Sequence, residues 1–117
     1  MSSAHSKSAA VAAVLTAIDA GAEPERAALR DAVRELLRGL VAKAPGRSVE
    51  VRVPPFGAVQ CVAGPRHTRG TPPNVVECAP VTWVMLATGR LEWRSAVEQG
   101  RIRASGTRAD ISDYIPI

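Results

Sequence analysis

Val11, Val14, Leu15 and Ile18 recur at the three- and four-residue steps of one helical face. The spacing predicts an amphipathic helix over about residues 6–20, stopped by Gly21. Glu23-Pro24-Glu25 is a helix start, with proline in the first turn and carboxylates at the positive end of the dipole. Leu29, Val33, Leu36, Leu37, Leu40 and Val41 then draw a broad apolar stripe from about 24 to 43, ended by Pro45-Gly46.

The period changes after Gly46. Val49, Val51 and Val53 alternate with Glu50 and Arg52, the mark of a half-buried strand, and Pro54-Pro55 ends it. Residues 57–63 are apolar on both faces and read as an interior strand. Residues 64–74 hold two Gly and three Pro and predict no regular structure. Val75 to Cys78 reads as a short strand. Pro80 opens a short helix through Trp83 and Leu86, closed by Gly89. Trp93, Ala96 and Val97 share one further helical face, closed by Gly100. Arg101 to Ser105 alternates as a last strand, and Asp110 is placed to cap a final turn through Ile111 and Tyr114.

Helices, then strands, then helices and one strand describe an α+β domain. Short turns between consecutive strands favour antiparallel pairing in a sheet of about four strands, with helices over one face. The alternating strand at 48–53 is expected at an edge, which leaves homodimerisation open.

At 117 residues the chain is expected to be one domain, residues 1–117, with 1–7 a flexible lead. Apolar residues make up 46% and charged residues 22%, a folded rather than a disordered composition. No apolar run approaches the roughly 18–20 residues that span a bilayer, so no stable membrane insertion is expected. The start lacks a basic cluster leading into a long apolar stretch, so the expectation is a cytoplasmic protein. Net charge is +4, distributed as +1, +2 and +1 over residues 1–46, 47–79 and 80–117, so no segment forms a nucleic-acid arm. Cys61, Cys78, His5 and His67 offer no zinc-ligand spacing, and neither a metal nor a cofactor is expected.

The unusual chemistry lies in the 64–74 segment. Arg66, His67, Thr68, Arg69, Thr71 and Asn74 gather two guanidiniums, an imidazole, two hydroxyls and an amide. Such a set can grip a carboxylate or phosphate; the alternative is a structural loop whose arginines pair locally. Arg26, Arg30, Arg34 and Arg38 line up on the second helix, although Asp31 and Glu35 stand beside them and a solvated face is the simpler reading. Trp83 and Trp93 are either core or, with Met85, Leu86 and Val97, the lining of an apolar pocket. No serine has a Gly-x-Ser-x-Gly setting and no phosphate-binding glycine loop is present. An enzyme is therefore the less favoured reading. His67 keeps acid–base chemistry open, with Glu77 and Cys78 as its candidate partners.

Three stretches taken together resemble a known family. They are Val49-Glu50-Val51-Arg52-Val53-Pro54-Pro55 through Gln60-Cys61, Gly64-Pro65-Arg66-His67-Thr68-Arg69-Gly70-Thr71-Pro72-Pro73-Asn74-Val75-Val76-Glu77, and Trp83 to Asp110. Over roughly residues 8–117 the chain is similar to the small bacterial (actinobacterial) orthologues of the sterol carrier protein superfamily. The most general part is Leu86-Ala87-Thr88-Gly89-Arg90-Leu91-Glu92-Trp93, then Ala96, Gly100-Arg101-Ile102 and Ser105-Gly106. The resemblance implies a sterol-carrier-like antiparallel sheet of four to five strands covered by helices around an apolar tunnel. It also implies non-enzymatic binding of a lipid-like molecule. Leu86, Leu91, Trp93, Val97 and Ile102 would wall the tunnel, joined by Trp83. The arginine-bearing loop belongs to the small bacterial branch and suits the acidic head of an amphiphile. The leading expectation is a carrier or binder of a small apolar or amphipathic ligand. The alternatives are a protein-interaction or dimerisation module with a vestigial tunnel, and an enzyme using His67.

Overall fold

Ser8 and Glu25 set the starts of the two N-terminal helices. The Ser8 hydroxyl accepts from the Val11 N–H at 3.2 Å, which begins α1 (Ala9–Asp19). A Glu25 carboxylate oxygen accepts from the Ala28 N–H at 3.3 Å, which begins α2 (Arg26–Lys43). The computed structural model describes residues 8–64 and 74–117. The remaining elements are β1 (Val49–Val53), β2 (Gly57–Cys61), β3 (Asn74–Cys78), α3 (Pro80–Ala87), α4 (Trp93–Glu98), β4 (Ile102–Ser105) and one 3-10 turn (Ser112–Tyr114).

The α+β class, the two N-terminal helices and a four-stranded sheet stand as expected. The pairing differs in one respect. The strand order is β2-β1-β3-β4, and β1 pairs with β3 in parallel, so the sheet is mixed rather than antiparallel throughout. The cause is geometric. β2 returns antiparallel to β1, bringing Cys61 opposite Val49. Asn74 then stands on the other side of Val49, so β3 leaves in the same direction as β1. β2 and β3 stand two strand spacings apart, about 10 Å, with β1 between them. β4 closes the other side antiparallel to β3, Ile102 opposite Cys78.

This order also exchanges two expected roles. β1 is the interior strand and β2 an edge. β2 reads as interior because it is apolar on both faces, yet its Ala58 faces outward and is exposed. β1 tolerates its charges because Arg52 Nε donates to Glu50 at 2.6 Å on the outer face. The free edges among the described strands are β2 and β4, not residues 48–53.

Alternation divides the sheet into two faces. Val49, Val51, Val53, Cys61, Val76, Cys78 and Ile102 are buried on the inner face. Glu50, Arg52, Gln60, Glu77 and Arg103 stand on the outer one. α2 covers the inner face with Val33, Leu37 and Leu40, and α3 adds Trp83, Val84 and Leu86. Each fully buried side chain of this kind contributes about 1.5–3 kcal/mol by leaving water. α1 packs on α2 and α3 rather than on the sheet. The segment after β4 closes the layer with Ala109 and Ile111, and the Ile117 N–H donates to the Ala87 carbonyl at 2.7 Å.

Candidate functional site

The 64–74 segment emerges at the end of the sheet where β1 begins. Its two roots, Gly64 and Asn74, lie beside Ser48 and Val49, and Val62 and Asn74 are tied there by polar contacts. The Ser48 hydroxyl and N–H both donate to the Val62 carbonyl, at 2.7 and 3.0 Å. The Val62 N–H donates to the Ala44 carbonyl at 2.7 Å. Val62 itself is held at φ +66°, a left-handed conformation that a β-branched residue adopts only when its surroundings enforce it. That conformation ends β2 at Cys61, two residues before the expected end.

Asn74 is buried, 3% exposed, and its side chain acts as a clasp. Its Nδ2 donates to the Ser48 carbonyl at 2.9 Å, and its Oδ1 accepts from the Arg108 N–H at 2.8 Å. Both ends of the amide hold backbone, which makes Asn74 a positioning residue for the root of the loop. Arg66, His67, Thr68, Arg69 and Thr71 lie outside the described residues. No motif in the sequence marks Arg108 or Ser48 for this place. Arg108 follows β4, and only the register placing Ser105 opposite Val75 brings it to this end of the sheet. Arg47 is here too, donating from Nε to Gln60 Oε1 at 3.1 Å. The root of the loop therefore carries cations besides those of the loop.

The six residues expected to wall a tunnel separate by burial. Trp83, Leu86 and Ile102 belong to the core, and Trp83 Nε1 donates to the Val33 carbonyl at 3.3 Å. Leu91 and Trp93 are half-buried and pack against that core. Val97, one turn beyond Trp93 on α4, is 47% exposed. Trp93 and Val97 thus leave apolar surface on α4 that the fold does not bury.

The candidate partners of His67 lie at the far end of β3. Glu77 and Cys78 are about 10 and 13 Å along the strand from Asn74. Glu77 faces outward and Cys78 inward. Cys61 stands beside Asn74's end of the sheet, so the two thiols are farther apart than the ~7 Å Cα separation a disulfide can bridge.

Burial pushes the Cys61 thiol up to about 11. Burial, with the charge of Glu77, pushes the Cys78 thiol up to about 12 against the opposing effect of Arg101. Neither is a nucleophile near neutral pH. Both values lie above the ordinary 9.0, so folding favours the neutral thiols. That stability is fully present below pH 9.0 and is lost as pH rises through about 11 and then about 12. Urea unfolding at a series of pH values is expected to show wild type losing stability faster above pH 9.0 than the Cys61→Ala/Cys78→Ala variant.

No helix among the described residues is long and apolar enough to cross a membrane. A comparison with curated proteins finds no match. The family model described as bacterial SCP ortholog, SCP standing for sterol carrier protein, matches residues 25–117. That span begins at the cap of α2 and includes the whole sheet, the loop root and the α3–α4–β4 layer, while α1 precedes it. By this match over most of its length, the chain belongs to the bacterial SCP ortholog family.

Proposed function

We propose that the protein binds or carries an amphipathic, lipid-like molecule without chemically altering it. Family membership over residues 25–117 carries this reading. Trp93 and Val97 would take part of the apolar tail, since their surface is incompletely buried, with Leu91 beside them and Trp83, Leu86 and Ile102 backing the layer. Desolvating a tail there supplies affinity at roughly 25 cal/mol per Å². Arg66, Arg69, His67, Thr68 and Thr71 would hold an anionic head, with Asn74 tying backbone at the root and the Arg108 guanidinium, beside Gly64, adding charge there.

The test is native purification, solvent extraction and mass spectrometry with nothing added. The expected result is an amphiphile near one per chain, depleted in the Arg66→Ala/Arg69→Ala and Trp93→Ala variants. An empty protein whose melting temperature is unmoved by a panel of fatty acids, isoprenoids and phospholipids overturns the proposal.

The burial of Trp83, Leu86 and Ile102 by the protein's own side chains favours a second reading, an interaction or homodimerisation module whose apolar layer is filled. An empty extract together with a concentration-dependent dimer in light scattering would select it.

A further inference from the structure

A groove of about 480 Å³ opens between the start of α2 and the turn joining β1 to β2. It lies at the opposite end of β1 from the loop root, about 16 Å away along the strand. Arg26, Arg30 and Arg34 line one wall, and Pro55 and Phe56 the other. The arginines step by four residues, about 6 Å each along the helix axis.

Each guanidinium is held by a contact of its own. Arg26 lies over the Phe56 ring, its guanidinium carbon 5.1 Å from the centroid. Arg34 Nε donates to the Phe56 carbonyl at 2.9 Å. Arg30 Nε donates to Asp31 Oδ1 at 2.9 Å. The bonds of Arg30 and Arg34 run through Nε, which leaves their paired Nη donors for an anion. Among the described residues Glu25 is the carboxylate that lines the groove, engaged with the Ala28 N–H at the helix cap, and Asp31 pairs with Arg30 beside it. Like charges four residues apart disfavour a bare helix, and an anion between them removes that repulsion. The positive end of the α2 dipole acts in the same direction.

We propose that this groove binds a small organic phosphate with two adjacent phosphate groups, its organic part against the exposed Pro55. One phosphate would meet at most two of the three guanidiniums, whereas a diphosphate spans all three. The volume is that of a small-ligand site.

The probes are inorganic pyrophosphate and inorganic phosphate, titrated into the wild-type protein by calorimetry and by amide chemical shifts. The ionic strength is ~150 mM, where charges more than ~8 Å apart are screened. Saturable pyrophosphate binding at one site is expected, about tenfold or more tighter than phosphate, with shifts centred on residues 25–34 and Phe56. Arg26→Gln/Arg30→Gln removes two cations that hold no backbone group, and is expected to weaken binding by about tenfold or more. Arg94→Gln/Arg103→Gln removes the same charge elsewhere and is expected to leave binding unchanged. Absence of saturation, shifts confined to the segment near Gly64 and Asn74, or equal weakening in both variants overturns the proposal. So does binding to phosphatidylglycerol vesicles without binding to soluble pyrophosphate, which would make the source a lipid surface.

Discussion

Trp83→Ala is expected to lower the free energy of unfolding by about 3–5 kcal/mol. The ring is 0% exposed and lies between α3 and α2. Its removal loses the transfer energy of a large side chain and leaves a cavity that two helices and a sheet can only partly close. The indole N–H bond to the Val33 carbonyl is lost as well, about 0.5–1.5 kcal/mol of the total. A loss of that size is a large fraction of the 5–15 kcal/mol typical of a domain. Urea denaturation followed by far-UV circular dichroism measures it. Trp83→Phe keeps most of the ring and is expected to cost less than half as much. Trp93→Ala, at a half-buried position, is expected to cost about 1–2 kcal/mol. Equal costs at the two tryptophans would contradict the distinction between core and partly open layer.

Gly46→Ala is the second large effect, expected at about 3 kcal/mol or more. Gly46 has φ +151°, where L side chains are strained, and a Cβ there would overlap the backbone of Val62 and Ala63. Those backbone atoms cannot yield cheaply. Val62 is bonded to Ala44 on one side and to Ser48 on the other, and Ser48 is bonded to Asn74. The substitution therefore strains the connection from α2 to β1 and the root of the loop together. Gly100→Ala is the control: Gly100 has φ +71° with nothing within 4 Å of the added carbon. Only the local backbone penalty of about 1–2 kcal/mol applies there. The ratio of the two losses in thermal or urea unfolding checks the account. If Gly46→Ala also loosens the loop root, amide exchange at Ser48 and Asn74 rises in that variant and not in Gly100→Ala.

The elements were legible in the sequence, though not every limit, because each depends on neighbours within a few residues. The apolar steps at Val11, Val14 and Leu15 and at Val33, Leu37 and Leu40 mark buried helix faces. The alternation at Val49, Val51 and Val53 marks a strand with one face buried. Gly21, Gly89 and Gly100 follow the helices they were expected to end. The residues carrying the family resemblance were equally legible, and the family match agrees with them.

Strand order was not legible, because hydrogen-bonded partners leave no mark on a strand's own period. β1, with Glu50 and Arg52, reads as a one-sided strand wherever it sits. Only the return of β2 and the crossing to β3 place it in the interior. The same holds at the candidate site. Asn74 looked like a ligand-binding amide in a polar loop, and the fold engages it between Ser48 and Arg108, residues 26 and 34 positions away. The helices, the strands, the buried faces of α1, α2 and β1 and the family were legible in the residues alone, since local periodicity and short motifs encode them. The tertiary structure alone decided which tryptophan is core, which strand is central, which polar groups tie down the loop and which arginines share a groove. Those depend on contacts between distant segments, and a pattern of near neighbours carries no record of them.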